Sequence, residues 1–351
     1  MSGTSEIADA PDSDPRQIPG GARWDEVGGL VARGLCMGTA DVVPGVSGGT
    51  MALILGIYTR LVAAIRSLDL QALRLLFSGE VSAARDHVGW RFLGAIVCGQ
   101  AIGVALFTRV FPLPDYLQRY PELVYGLFFG LVLGSIVTLG RDVFRPQTAN
   151  AASGGLPAAL GASAAGFAFG LLIVTAVPTT TPDTAGFVFL CGCISICAMI
   201  LPGISGSFVL LILGKYTYVL GNLGEVIKPH GPEGRWIPFA TVVVPFALGC
   251  LVGILAFSRL LTWLLARAER ATLAFMTGLL AGSLYALWPF ATRVYETVRG
   301  KQKLISSTPV LPSASTTAGA ACALVVVGIV AVLALERLAK TRKVDARQDG
   351  E

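Results

Sequence analysis

The sequence predicts an all-α polytopic membrane protein made of inverted repeats, with about six full transmembrane helices and two re-entrant broken-helix hairpins. Three observations lead there. Of 351 residues, 54% are apolar and only 14% charged, with a mean hydropathy of +0.68; soluble chains carry about a quarter charged residues. Several continuous apolar runs reach about 20 residues, the length a helix needs to cross a core of about 30 Å. One segment, interrupted by Pro, Gly and Ser, occurs twice. The composition excludes disorder, collagen, coiled coil and a nucleic-acid partner; the net charge of +5 is small and sits mostly in loops and the C-terminal tail.

In chain order, residues 1–29 are polar, contain Pro11, Pro15 and Pro19 and lack an apolar signal-peptide region, so a disordered cytoplasmic arm is expected. Region 30–65 is apolar but interrupted. Full spans follow at 90–111, 122–140 and 155–177, then a second interrupted region at 186–222. Further spans are expected at 237–262, 272–290 and 316–335, and residues 336–351 form a basic cytoplasmic tail. The runs are continuous rather than alternating, which excludes a barrel. Cys36, Cys98, Cys191, Cys193, Cys197, Cys250 and Cys322 all lie in apolar segments. Residues i and i+2 do not share a helix face and no histidine is near, so Cys191, Cys193 and Cys197 read as small packing residues, not metal ligands. No disulfide framework is expected.

Residues 40–59, ADVVPGVSGGTMALILGIYT, and 198–217, AMILPGISGSFVLLILGKYT, are identical at 11 of 20 positions. Downstream, Gly99, Gly103, Phe107, Thr108 and Arg109 match Gly249, Gly253, Phe257, Ser258 and Arg259. Gly130, Leu131, Gly134 and Ser135 match Gly278, Leu279, Gly282 and Ser283. Three ordered blocks at offsets of 158, 150 and 148 define a repeat over 30–148 and a copy over 186–300. A linking span occupies 149–185, and a loop with the last span occupies 301–335. The pairs Gly99/Gly103 and Gly249/Gly253 read as GxxxG packing faces.

Lys and Arg concentrate in cytoplasmic loops. If both interrupted motifs enter and leave on one side, 15 Lys and Arg lie on the side of the termini and 8 opposite; if both cross, the split is 10 to 13. The rule therefore favours re-entrant motifs and cytoplasmic termini. Three full spans separate the motifs, so the second enters from the opposite face. Inverted repeats with broken helices at the midplane are an architecture of secondary transporters.

In Pro44-Gly45-Val46-Ser47-Gly48-Gly49-Thr50, Pro44 removes a backbone donor and the glycines allow sharp turns and close approach. Freed N–H groups, hydroxyls and a helix N-terminus converge there, which suits a phosphate or carboxylate. Pro202, Gly203, Ser205, Gly206 and Ser207 repeat the pattern, so two facing anion cradles are expected. Plain kinked helices packed through small residues are the alternative. Asp41, three residues before Pro44, is a carboxylate in an apolar segment and hence a functional candidate. It could titrate in proton coupling, pair with Arg33, or cap the second half-helix. Arg109 and Arg259 could each hold a phosphate bidentately or snorkel to an interface. Tyr58 and Tyr216 read equally as interfacial anchors or ligand contacts.

The strings MGTADVVPGVSGGTMALILGIY (37–58) and AMILPGISGSFVLLILGKY (198–216) resemble the bacterial polyprenyl-phosphate (undecaprenyl-phosphate) transporter family, with a likeness extending over about residues 28–300. The resemblance implies a multi-pass protein of the bacterial cytoplasmic membrane that returns the phosphate head of undecaprenyl phosphate to the inner leaflet for lipid-carrier recycling. Its partners would be the polyprenyl-phosphate lipid and the bilayer, and protons would be a further partner through a titrating Asp41 or the phosphate itself; the resemblance implies no enzyme activity and no cofactor, and it sets no oligomeric state. One rival is a secondary transporter for a small soluble anion, discriminated by whether the cavity opens sideways through an apolar portal. Another is an intramembrane serine hydrolase, since Gly45-Val46-Ser47-Gly48 and Gly203-Ile204-Ser205-Gly206 fit a GxSG pattern. That chemistry needs a base within reach, and His87 and His230 fall in loops. No ring of like charges supports a channel.

Overall fold

Fourteen helices and one hairpin make up the described part of the chain, which in a computed structural model comprises residues 24–43, 46–111, 113–145, 155–227, 236–298, 301–312 and 316–348. The order is α1 (Trp24–Val42), α2 (Gly48–Ile54), α3 (Tyr58–Arg66), α4 (Leu70–Phe77), α5 (Val81–Val88) and α6 (Trp90–Ala105), which continues as a π turn over Leu106–Val110. Then come α7 (Leu113–Arg119), α8 (Pro121–Phe144), α9 (Leu156–Thr175), α10 (Ala185–Ile200), α11 (Gly206–Ile212) and α12 (Tyr216–Ile227). A second π turn, Phe239–Val243, leads into α13 (Val244–Ser283); strands β1 (Ala291–Val298) and β2 (Lys301–Pro309) and helix α14 (Thr316–Gln348) complete the chain. Residues 1–23 of the expected arm lie outside the described residues, and α1 starts inside the segment assigned to that arm.

Among the described residues, five helices are long and apolar enough to cross a membrane, six if α11 and α12, bent by 109°, count as one span. The stretch Trp236–Ser283 counts once in that tally, but it breaks at Ala268 (φ −145°, ψ 51°). Its 48 residues would extend about 70 Å as one rod, over twice a bilayer core. It thus supplies two arms, matching the spans expected at 237–262 and 272–290, although the second leaves helical geometry after Ser283.

Each interrupted region turns back on itself. The Glu26 carboxylate meets the Arg60 guanidinium at 3.3 Å, which brings α3 back beside the first turn of α1, and Arg60 also lies 4.6 Å above the Phe92 ring. In the second region, the Thr179 N–H donates to the Ile212 carbonyl (2.9 Å), and the Lys215 ammonium donates to the Thr181 carbonyl (2.7 Å) and to Asp183 (2.5 Å). The turn after α11 thereby returns to the segment that precedes α10. Both seven-residue helices end alike. Gly56 (φ 67°) and Gly214 (φ 65°) take the left-handed conformation that glycine adopts without penalty. The N–H of the following residue, Ile57 or Lys215, reaches back to Ala52 or Leu210. That is a Schellman close, and it explains why LILG recurs at both sites.

The long helices pair through glycine seams. Gly34 and Gly38 of α1 face the backbone at Ile96 and Gln100 of α6, while Gly99 and Gly103 face Val31 and Leu35. Gly249 and Gly253 of α13 press on Phe189 and Cys193 of α10 in the same way. Gly126 and Gly130 of α8 lie on Ala321 and Val325 of α14; Gly166 and Gly170 of α9 lie on Phe275 and Leu279 of α13. In each pair the residue numbers rise together, so the partners run parallel. The expected packing role of Gly99/Gly103 and Gly249/Gly253 is therefore realised. In lipid such contact is driven by van der Waals packing at close approach.

Three segments differ from expectation. Residues 66–91, read as a loop, contain α4 and α5, short because Asp69 caps the start of one and Gly89 (φ 62°) ends the other. Residues 291–315, read as a loop, carry the antiparallel β1–β2 hairpin, held to the bundle by Trp288 Nε1 donating to the Val310 carbonyl (3.0 Å) and by Arg293 lying 3.9 Å over the Tyr125 ring. The basic tail continues α14 as helix to Gln348.

Asp69 accepts the N–H groups of Gln71 (3.0 Å) and Ala72 (2.9 Å) and lies 3.1 Å from His87 Nε2. Burial pushes its carboxyl up, but the Ala72 N–H, His87 and the Gln71 N–H outweigh that and hold it below the usual carboxylate range. A lowered pKa means stability that is complete above the unfolded value near 3.9 and is lost as pH falls through the folded one. Asp69→Ala is expected to cost about 1 kcal/mol at neutral pH, a gap that closes on acidification when unfolding in detergent is followed from pH 7 to 3. Gly99→Ala, whose new Cβ would land on the Val31 carbonyl, should destabilise by about 1–3 kcal/mol. Gly94→Ala, with only Trp90 Cε3 at 3.9 Å, should be neutral or slightly stabilising in the same thermal scan.

Candidate functional site

The two interrupted motifs meet each other. A helix end leaves its last carbonyls without intrahelical donors, and at the end of α10 the first motif supplies them. Ser47 Oγ donates to the Met199 carbonyl (3.2 Å) and the Tyr58 hydroxyl to the Ile200 carbonyl (3.2 Å). In return the Gly203 N–H donates to Thr50 Oγ1 at 2.8 Å. Gly203 has φ +90°, a conformation open to glycine, and a Cβ there would sit 3.0 Å from Ser283 Oγ. Gly49 is equally constrained, since a Cβ would come 2.8 Å from the Ile200 carbonyl.

Asp41 folds back over the start of α2. Its Oδ1 accepts the Gly48 N–H at 2.7 Å, and its Oδ2 accepts from Gln100 Nε2 at 2.6 Å. Gly48 has no room for a side chain, because a Cβ would meet both carboxylate oxygens at 2.9 Å. Ser47 completes the cap, with its Oγ accepting the Gly49 N–H at 3.1 Å. Of the three roles open to Asp41, the capping one is thus present. The pairing with Arg33 is not: Arg33 is half-buried on α1 and makes no ion pair with Asp41, whose partners are Gln100 and Gly48.

Pro44 and Gly45 lie outside the described residues. Ser47 and Thr50 are 2% and 1% exposed, so their hydroxyls hold the motifs together rather than face an open cradle. In the second motif Pro202, Gly203 and Gly206 are buried, Ser205 is half-buried and Ser207 is exposed, with the two hydroxyl oxygens 3.0 Å apart. Arg109, in the π turn after α6, and Arg259, on α13, are both exposed. No contact joins either to the motifs among the described residues.

A groove of about 310 Å³ lies beside the second motif, between α10, α11, α12 and α13. Its walls are almost wholly apolar, Met199, Leu210, Leu220 and Phe246 among them, and Ser207 belongs to its lining. The repeat alignment sets Met199 and Cys250, both groove residues, opposite Asp41 and Gln100. The same scaffold therefore presents a carboxylate and an amide in one half and an apolar groove in the other.

Sequence reasoning missed Gln100. Its signal is visible in retrospect, as an amide inside a span between two packing glycines. Tyr58, open to reading as an interfacial anchor or a ligand contact, is 2% exposed and binds the opposite motif. Lys215 is likewise buried, 2% exposed, and paired with Asp183. Thr50→Val would strand the buried Gly203 N–H and Tyr58→Phe the Ile200 carbonyl, each at a cost of about 1–3 kcal/mol. Thermal unfolding of the two single variants checks both.

The family model described as VCA0040-like, undecaprenyl phosphate translocase-like, matches residues 37–305. A polyprenyl-phosphate transporter of Vibrio cholerae serotype O1 is 36% identical over 258 residues, covering 74% of this chain and 76% of that one. A polyprenyl-phosphate transporter of Staphylococcus aureus is 30% identical over 271 residues, covering 74% and 85%. No solved structure matches the chain. The matched span takes in both interrupted motifs, Asp41, Gln100 and the groove, and the chain belongs to the VCA0040-like, undecaprenyl phosphate translocase-like family.

Proposed function

We propose that the protein carries the phosphate head of undecaprenyl (polyprenyl) phosphate across the bacterial cytoplasmic membrane while the isoprenoid tail stays in lipid. The observation that carries this reading is the placement of an apolar groove directly beside a polar break, with Ser207 common to both. An amphiphile whose phosphate is bonded straight to a hydrocarbon chain fits that boundary; a small soluble anion has no use for the apolar half. The names of the two relatives point the same way.

The proposed frame is a pair of inverted repeats, each with a re-entrant hairpin, and cytoplasmic termini. Its support is that Leu30 at the start of α1 and Leu265 at the C-terminal end of the first arm of α13 belong to one apolar cluster, while that arm runs parallel to α10. Helices α1 and α10 then approach the central contact in opposite senses. Each repeat would include the span that follows it, exchanged between halves, because α9 packs on the second arm of α13 and α14 packs on α8.

In the proposed cycle, Ser205 and Ser207 receive the head first, because they are the motif hydroxyls not committed to the other half. Parting of the two motifs frees the hydroxyls of Ser47 and Thr50 to take the phosphate in turn, while the N–H groups of Gly48 and Gly49 stay bonded to Asp41 and Ser47 of their own half until the phosphate displaces those partners. Arg109 and Arg259 would draw the head in and release it at the two surfaces. Asp41 holds the Gly48 N–H, so a negative substrate must displace it, and protonation of Asp41 would remove that competitor. The phosphate's own second pKa of about 6 offers a second place for the proton. In this reading the protein acts as a transporter, and the hydroxyls of Ser47 and Ser205 engage the Met199 carbonyl and Ser207, respectively.

In vesicles with purified protein and a short-chain polyprenyl phosphate, protein-dependent flipping should respond to an imposed pH gradient. Asp41→Asn should abolish that response, and Arg109→Ala should slow flipping about tenfold or more, the scale of one lost charged hydrogen bond. Full activity in either variant removes the role from that residue, and absence of flipping in the wild type removes the lipid assignment.

A further inference from the structure

We propose that the apolar groove between α10, α11, α12 and α13 seats the first isoprene units of the lipid tail, making the second half alone responsible for recognising the hydrocarbon. The inference rests on the transport reading and names the subsite that reading lacks.

The groove's volume of about 310 Å³ is at the low end of ligand cavities, about 300–1,000 Å³. It can enclose only the beginning of a long chain. Its surface is almost wholly apolar, and it reaches the polar motif through Ser207. Ser207 is exposed and lies 3.0 Å from Ser205, at the motif. Ser195 also lines the groove, is 7% exposed, and its buried Oγ has no hydrogen-bond partner. An occupant must therefore be polar at the motif and apolar immediately beyond it. A prenyl phosphate is, because carbon follows the ester oxygen directly. A bilayer phospholipid interposes a glycerol diester, whose carbonyls would be set against Leu210, Leu220 and Phe246 without donors, at a cost per group of about 1–3 kcal/mol.

The first half cannot offer a matching seat. The positions equivalent to Met199 and Cys250 are Asp41 and Gln100, bonded to each other at 2.6 Å. Burying hydrocarbon there would strand a carboxylate and an amide. Tail recognition is therefore one-sided even though the scaffold is duplicated.

The test compares binding of a twenty-carbon prenyl phosphate, methyl phosphate and dioleoyl phosphatidic acid to detergent-purified wild type, Leu220→Trp and Leu223→Trp. Leu223, 37% exposed, tolerates enlargement with the least disturbance. Both variants are expected to weaken the twenty-carbon ligand at least tenfold and to leave methyl phosphate within twofold, which also shows that they are folded. With Cys250 as the sole cysteine, its alkylation should be slowed at least fivefold by the twenty-carbon phosphate and by neither of the other two. Unchanged twenty-carbon binding in both variants, or equal protection by phosphatidic acid, overturns the subsite while leaving transport intact. A wild type that binds neither prenyl phosphate nor methyl phosphate overturns the transport reading, and the subsite with it.

Discussion

The end of α10 is the point on which the rest of the molecule turns. A helix that stops inside an apolar body leaves carbonyls that water cannot reach, and each costs several kcal/mol if unmet in hydrocarbon. Met199 and Ile200 are met by hydroxyls of the other half, from Ser47 and Tyr58, and Thr50 accepts the Gly203 N–H in exchange. Neither break could exist at that depth alone. Each is tolerable because the other completes it, which makes the contact between the motifs both the structural centre and the element that an access cycle would have to open.

Glycine seams set the distances at which that contact can form. Where Gly99 lies on Val31 and Gly249 on Phe189, backbones touch with no side chain between them, so α1 and α10 are held rigidly by α6 and α13. Rigid outer pairs around a hydrogen-bonded centre concentrate any movement in the short helices α2 and α11. Those helices are seven residues long, close on Gly56 and Gly214, and are tied at their bases by Glu26–Arg60 and Lys215–Asp183. The bases hold each hairpin to its own half, while the tips bind across.

Much of this was legible in the sequence because duplication writes the same constraint twice. Gly56 and Gly214 recur since each must take a positive φ, and Gly99/Gly103 recur as Gly249/Gly253 since each must admit a neighbouring backbone. Where the copies differ, pattern reading fails. Tyr58 and Tyr216 are aligned, yet one is buried against Ile200 and the other lines the groove, a divergence set by neighbours distant in sequence. The hairpin Ala291–Val298 and Lys301–Pro309 escaped notice because its residues are polar and β-branched without a hydrophobic face, so hydropathy sees only a loop. Gln100 was overlooked between two glycines whose packing role accounted for the segment by itself.

Divergence between the copies also indicates how a near-symmetric frame acquires direction. In a perfect repeat both cradles would hold a substrate equally and the two end states would be isoenergetic. Here Asp41 and Gln100 occupy one copy of the position and Met199 and Cys250 the other. In the proposed cycle the carboxylate bonded to the Gly48 N–H competes with an incoming anion in the first half, while the second half offers hydroxyls and an apolar wall. The affinity of the two cradles for a phosphate amphiphile must then differ, and the difference must change with the charge on Asp41. A ligand can shift an equilibrium only by its differential affinity for the two states. In the proposed cycle a single ionisable residue at one of two equivalent positions makes that difference sensitive to protonation, and a replacement that leaves no carboxylate at either position would remove that sensitivity.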